Sequence, residues 1–569
     1  MNRPLHIIVL LAAALSSYAA APSARPNILI VMCDDLGYAD VGFNGAKDIR
    51  TPALDKLAAA GTVCTSAYVA HPFCGPSRMG LLSGRYPHEF GGQFNHPPFQ
   101  EGLTEYDSLG IPEEETLIST VLQDAGYFTG AIGKWHLGID KPFHPNTRGF
   151  DDFYGFLGGG HMYFPEKYAG IYERQNKAGV ERINEYVLPL EHNGEQVTPK
   201  GYLTDELTGE AIRFIDTAAQ KKKQPFFLYL AYNAPHSPME ASDEDLAVFS
   251  DIANPKRRTY AAMVYAVDRG VARIVDSLKK NGQYDNTLII FLSDNGGKPS
   301  QGASNAPLRG QKGDTFEGGF RVPMFFHWPD NVPVQTFNHP VSALDFYPTF
   351  VQLAGTKLPK GKELDGKDIM ADLKKGTSPR KGEMIYSMRH RNSYSDVSAR
   401  RDDWKVTRYG GQPWRLFNID EDPGENNDLA TQHPERVQEM VKKAEGWSGT
   451  HVQPLWFHAG QARDEWKKNN MPRFDKTFSP DIGAPSLAPV KYITEQSAAP
   501  KAAMPSAPAG VKLKKGDSTK EMFVAQEKAK WDKNGWNWDL SKVETLFSTI
   551  DANGDGIASG QEKKAYWAK

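Results

Sequence analysis

The 569-residue chain predicts an α/β fold: a large mixed, mostly parallel sheet flanked by helices, then a smaller antiparallel sheet and a terminal helical unit. Three observations carry this. The apolar runs Asn27–Met32, Phe226–Tyr232 and Leu288–Leu292 lack the alternation of half-solvated strands and suit strands buried on both faces. Segments of helical period lie between them. After about Thr377 the pattern breaks into shorter, strand-like pieces.

Composition excludes several classes. At 40% apolar, 24% charged and 11% aromatic residues, the chain is an ordinary globular one rather than disordered, collagenous or multi-spanning. Its 66 Lys and Arg against 69 Asp and Glu leave a net charge of −3, with no basic excess to hold a nucleic-acid backbone. Three cysteines make no disulfide framework.

Met1–Ala21 has the layout of a secretory signal: Arg3, the apolar run Ile7–Leu15, then the small residues Ala19–Ala21. That run is shorter than the roughly 20 residues a bilayer requires, and no later run reaches that length. A periplasmic or secreted protein without a membrane span is expected. Residues 22–377 form the α/β unit. Pro52 opens a helix that Gly61 ends, and Tyr260, Val264, Val267, Val271, Ile274 and Leu278 mark one face of another, ended by Gly282. Ligands of such sheets bind beyond the carboxyl ends of the strands, which aligns Asp34, Asp35, His236, Asp294 and Asn295 along one crevice. Residues 378–450 form the smaller unit, with strands at Glu383–Met388, Val397–Arg401, Trp404–Arg408 and Trp414–Ile419 and a helix near Pro434–Glu445. An extension and an Ala/Pro-rich linker span 451–517, and 518–569 is the last unit.

The densest chemical signal is His71-Pro72-Phe73-Cys74-Gly75-Pro76-Ser77-Arg78. Composition alone would produce C-x-P-x-R about 0.01 times in such a chain. Pro76 suits a helix start, placing Cys74 where the helix dipole favours a thiolate or a bound anion, with Arg78 one turn on.

This motif resembles the C-x-P-S-R signature of formylglycine-dependent sulfatases of the alkaline-phosphatase superfamily. Asp34-Asp35-Leu36-Gly37, Gly133-Lys134-Trp135-His136-Leu137-Gly138, Ala234-Pro235-His236, Ser293-Asp294-Asn295-Gly296 and Leu308-Arg309-Gly310-Gln311-Lys312-Gly313 resemble further blocks of that family, in its order. Asp402-Asp403-Trp404 and Asp422-Pro423-Gly424-Glu425 resemble those of its smaller sheet. Phe320, where the family often has a smaller aliphatic residue, departs from the pattern. The resemblance implies an alkaline-phosphatase-like fold and a Cys74 oxidised to formylglycine, whose hydrate provides the attacking oxygen, by a formylglycine-generating or anaerobic maturation enzyme. It implies that Asp34, Asp35, Asp294 and Asn295, with residue 74, hold one Ca²⁺. An all-oxygen set of this kind suits a hard cation, whereas zinc would recruit histidine or thiolate. Arg78, Lys134 and Lys312 would neutralise sulfate oxygens, and Asp294 could take the proton of the attacking hydroxyl. His236, with Lys312, would protonate the leaving alcohol, and His136 would act as the base that releases sulfate.

Cys33 and Cys64 read as core residues, with a disulfide as the alternative. Asp551, Asn553, Asp555, Ile557 and Glu562, with Gly556 at the sharp turn, fit an EF-hand loop for a second Ca²⁺. Ala558 is smaller than the residue usual there, an argument against tight pairing with another loop. His161 and Tyr163, in a stretch resembling a substrate loop of carbohydrate sulfatases, are candidates for sugar contacts. Arg389, Arg391, Arg400 and Arg401 suit either a polyanion or a solvated edge. The expected activity is hydrolysis of sulfate esters on carbohydrates. A broad arylsulfatase, a phosphatase or phosphodiesterase on the same scaffold, and an inactive Ca²⁺-dependent glycan binder are the alternatives. The phosphatase relatives use Ser or Thr as nucleophile and two metals, for which this chain shows no ligand set.

Overall fold

Asn27–Cys33 runs through the middle of a ten-stranded sheet. It pairs in parallel with Phe226–Ala231 on one side and Thr287–Ser293 on the other, and Phe128–Lys134 extends the parallel set beyond Phe226–Ala231. Asp152–Phe156 continues in parallel, followed by the antiparallel strands Leu190–His192 and Glu195–Val197. On the opposite flank Met324–His327 is antiparallel to Thr287–Ser293, and Thr62–Cys64 and Gln335–Phe337 complete the sheet. The sheet is mixed and mostly parallel, as expected. This computed structural model describes residues 25–96 and 109–492 except 182, 222, 223, 392, 459, 469–476 and 491. Beyond these it describes 518–520, 522–524, 526–528, 543, 546–548, 550, 551, 557–559 and 563.

The uninterrupted apolar runs are explained by burial on both sides. Ile28, Ile30 and Met32 enter one core, whereas Leu29, Val31 and Cys33 enter the other. Helices Leu203–Gln220 and Pro255–Lys280 cover the second face. Asn254 caps the longer of them, accepting from the amides of Lys256 and Arg257, and Pro255 occupies its first turn. Cys33 and Cys64 lie on opposite faces of the sheet, both buried and unpaired, which removes the disulfide alternative.

The smaller sheet is antiparallel: Met384–His390, Ser395–Arg401, Trp404–Arg408 and Arg415–Asn418. Helix Pro434–Ser448 packs Val437, Met440 and Val441 onto Val397, Ala399 and Val406. A buried ion cluster joins the two sheets. Lys405 Nζ lies 2.9 Å from both Glu317 Oε1 and Glu425 Oε1, and Glu317 also pairs with Arg321 and accepts from Tyr68. Phe320 packs beneath this lysine, 4.9 Å from its ammonium.

In the terminal unit, Phe523, Val543, Phe547, Ile550 and Ala558 form a small core. Ile557–Ala558 pairs antiparallel with Ser518–Thr519, so the small Ala558 does not prevent strand pairing there. Asn553, Asp555 and Glu562, and the Met1–Ala21 segment, lie outside the described residues. Among the described residues no helix is long and apolar enough to cross a membrane.

Candidate active site

Four neighbouring parallel strands end on one edge of the sheet and supply most of the site. Asp34 and Asp35 follow Asn27–Cys33, Asp294 and Asn295 follow Thr287–Ser293, His236 follows Phe226–Ala231, and Lys134 is the last residue of Phe128–Lys134. Cys74 opens the helix Cys74–Ser83, after an extended Phe73 (φ −131°, ψ 150°), and all ten residues of that helix are buried. The expected helix-start position of Cys74 is therefore observed.

The charged groups interlock. Arg78 donates to Asp294 Oδ2 through Nε (2.9 Å) and Nη2 (2.8 Å), and its Nη1 donates to the Lys134 carbonyl (2.9 Å). Lys134 Nζ is 2.5 Å from Asp34 Oδ2, and Lys312 Nζ is 2.7 Å from Asp35 Oδ1. His236 Nε2 stands 3.7 Å from Asp35 Oδ2, while its Nδ1 meets the Ser237 carbonyl at 2.7 Å. Ligand-type atoms of Asp34, Asp35 and His236 lie within 4.8 Å of one another, as do those of Asp34, Cys74 and Asp294. The structure thus brings Asp34, Asp35, Cys74, Arg78, Lys134, His236, Asp294 and Lys312 together at these strand ends.

Burial sets the protonation states. It would raise the Asp34 carboxyl, but Lys134, His236, Arg78 and Lys312 outweigh it and hold Asp34 below the carboxylate range. Asp294 goes the other way, raised by burial and by Asp34 despite Arg78. Burial opposes the charge on Lys312, yet Asp35 and the other anions hold its ammonium well above the usual value. His136 is pushed well below the usual histidine value by burial, then by Lys134 and Arg78, and His236 is lowered by burial although Asp34 opposes this. Asp35 and His136 both adopt left-handed backbone (φ 64° and 63°), a strain that clusters at functional sites.

Among the described residues, Asp34 Oδ1 and Asn295 Oδ1 are buried acceptors without a hydrogen-bond partner. Two unsatisfied oxygens beside the Asp35 and Asp294 carboxylates make an all-oxygen donor set that fits a hard divalent cation. The sequence signals miss Asn95. Its Oδ1 accepts from the Gly75 amide (3.0 Å) and its Nδ2 is 3.6 Å from Cys74 Sγ, but Gly91–His96 has no periodicity that would single it out. Tyr229, 3.5 Å from Arg78 Nη1, is hidden inside an apolar run.

His161 and Tyr163 correct the expectation of sugar contacts. Both are fully buried. The His161 ring nitrogens meet the carbonyls of Met162 and Leu188, each at 2.7 Å, and the Tyr163 hydroxyl donates to the His236 carbonyl at 2.8 Å. They brace the site from within and have no polar atom left for a ligand.

The model of the Sulfatase family matches residues 26–356. This chain belongs to the sulfatase family. A second model, the N-sulphoglucosamine sulphohydrolase C-terminal region, matches residues 311–446 of this sulfatase. It is 30% identical over 501 residues to the N-acetylgalactosamine-6-sulfatase of Mus musculus, covering 86% of this chain and 89% of that protein. Among solved structures it is similar to Ps i-CgsB in complex with k-i-k-neocarrahexaose, with 54% identity and a TM-score of 0.78 over 80% of this chain and 99% of that one. It is also similar to the PsFucS1 sulfatase from Pseudoalteromonas sp., with 27% identity and a TM-score of 0.62 over 75% and 90% of the two chains.

Proposed function

We propose that this sulfatase hydrolyses sulfate esters on a sulfated galactan of the carrageenan type. The observation that carries the reaction is the convergence of Cys74 with Asp34 and Asp294 at a buried helix start, ringed by Arg78, Lys134 and Lys312. The substrate class rests on the 54% identity to the chain solved with a neocarrahexaose, which that likeness spans almost entirely.

Asp34, Asp35, Asp294 and Asn295 would hold one Ca²⁺. When present, that ion polarises a sulfate oxygen, and formylglycine at position 74 presents a hydroxyl for attack on sulfur. The remaining work falls to the chain's own side chains. Arg78, fixed in orientation by Asp294 and the Lys134 carbonyl, gathers sulfate oxygens together with Lys134 and Lys312 in a site shielded from water. Asp294, whose basicity burial raises, accepts the proton of the attacking hydroxyl on Oδ1, which the Asp35 amide holds only at 3.3 Å while Arg78 grips Oδ2 with two N–H groups. His236, protonated as the anionic substrate joins Asp34 and Asp35, donates its Nε2 proton to the oxygen of the leaving alcohol. His136, kept neutral, accepts the last proton as sulfate departs. Export through the Met1–Ala21 signal, and a second Ca²⁺ on Asp551, Asn553, Asp555, Ile557 and Glu562, complete the reading.

The test is turnover after co-expression with a maturation enzyme. The matured protein should show a side chain at position 74 in which O replaces H₂S by intact mass, and should release sulfate from sulfated galactan oligosaccharides. Cys74→Ala should lose on the order of 10⁵-fold in rate with unchanged circular dichroism. Undiminished turnover in Cys74→Ala would defeat the proposal.

A further inference from the structure

A small cavity of about 100 Å³ opens beside the nucleophile, lined by Phe73, Asn95, Arg389 and His458 among others. It adjoins the reacting centre through two of these: Phe73 directly precedes Cys74, and Asn95 touches the Cys74 sulfur. Among the described residues that line it, the one permanent cation is Arg389.

The four arginines of the hairpin Met384–Arg401 differ sharply in their partners. Arg391 pairs with Asp396 at 2.6 Å, Arg400 with Asp420 at 3.0 Å and Arg401 with Glu439 at 2.5 Å. Arg389 has no carboxylate partner among the described residues. One of its N–H groups donates to the Gly313 carbonyl (2.6 Å), and the guanidinium lies over the Phe73 ring, 4.4 Å from the centroid. Both contacts fix the fork without neutralising it. Gly313 allows this approach, because a Cβ there would come within 2.4 Å of Arg389 Nη1. Burial, then the charge of Arg391, outweigh the opposing charges of Asp314 and Asp396 and pull its guanidinium down to about 10. Lys312 lies 5.9 Å from the centroid of the same ring, so Arg389 is no farther from this sulfate-binding lysine than those two distances together.

We propose that Arg389 is a specificity-determining residue, binding a second anionic substituent of the glycan, on or next to the sugar whose sulfate is removed. The planar fork matches the paired oxygens of either a sulfate or a carboxylate, and such charge-assisted bonds are the strong ones. The cavity has room for an anionic group but not for a sugar ring, so it reads a substituent. The inference rests on the carbohydrate-sulfatase reading above.

The test uses binding, so that it does not depend on turnover. Cys74→Ala protein is titrated calorimetrically with three galactan hexasaccharides: one singly sulfated, one with a second sulfate on the adjoining residue, and one with a uronate carboxylate there. The doubly anionic ligands should bind about thirtyfold more tightly than the singly sulfated one, and the stronger of the two identifies the group read. Arg389→Met, which keeps the stem against Phe73, should collapse that ratio towards one, and Arg389→Lys should restore only part of it. A ratio near one in the Cys74→Ala protein, or a ratio that survives Arg389→Met, would overturn the inference while leaving the sulfatase reading intact. An Arg389-dependent ratio in a matured enzyme that releases no sulfate would sink that reading and leave the anion subsite standing.

Discussion

At the Asp34–Asp294 cluster and again at the Glu317–Glu425 cluster, the chain buries carboxylates against lysine and arginine, but the two are completed differently. Between the sheets, both Glu317 oxygens are taken by Lys405, Tyr68 and Arg321, and Glu425 accepts from the Glu317 amide and pairs with Lys405. At the strand ends, Asp34 Oδ1 and Asn295 Oδ1 have no partner among the described residues, and two backbones are left-handed. A closed network holds domains in register. An open one, strained and short of donors, is arranged for a ligand that is not part of the chain. Sequence composition cannot tell the two apart, since each sets acidic side chains against lysine and arginine.

The comparison breaks if the two clusters respond alike. The largest expected effect is at the closed one. Lys405→Met removes the cation shared by two buried carboxylates and should cost about 3–5 kcal/mol of unfolding free energy, read by urea titration, because Glu425 loses its cation and Glu317 keeps only its arginines. Combining it with Glu425→Gln should recover part of the loss, and simple additivity would argue against a shared network. The open cluster should respond to ions instead. Ca²⁺ at about a hundred times its dissociation constant should stabilise the protein by about 2.7 kcal/mol, seen as a calorimetric shift that chelator reverses. In protein that also carries Glu562→Gln, which disables the second proposed Ca²⁺ loop, Asn295→Ala should remove that shift, since it deletes an unpartnered oxygen, whereas Lys405→Met should leave it in place. An ion shift that survives Asn295→Ala would place the cation elsewhere.

Much of the open site is legible in the sequence because strand ends are. An apolar run without alternation specifies a strand buried on both faces, and the first polar residues after it, Asp34-Asp35, Asp294-Asn295 and His236, must then sit at the sheet's carboxyl edge. The helix start at Cys74 is legible for a similar reason, since Pro76 and the following apolar residues mark it. What stays hidden depends on pairs distant in the chain. Asn95 meets Cys74 across a loop of no periodicity, and Lys405 meets Glu317 and Glu425 only once two sheets pack. His161 and Tyr163 mislead because their residue types suit sugars, while their surroundings offer carbonyls that occupy them. The arginines of the hairpin Met384–Arg401 look equivalent in sequence and become distinct only through which of them meets a carboxylate.

The smallest expected effect sharpens the comparison through pH. Within the closed cluster, burial and the neighbouring Glu317 charge raise the Glu425 carboxyl in spite of Lys405, while Glu317 itself is held low because Lys405, Arg321 and Arg400 outweigh its burial. The signs are opposite. A raised acid contributes stability that is complete below its unfolded value and fades as pH climbs through the folded one. A depressed acid contributes stability present above its unfolded value and lost only as pH falls towards the folded one. Between about pH 5 and about pH 8 the Glu317 contribution should therefore be constant and that of Glu425 should decline. Glu425→Gln, which cannot ionise, should gain about 1–2 kcal/mol on the wild type across that window, measured by urea unfolding at each pH. Parallel stability curves for the two proteins would mean that Glu425 is ionised throughout, with Lys405 shared evenly between both acids.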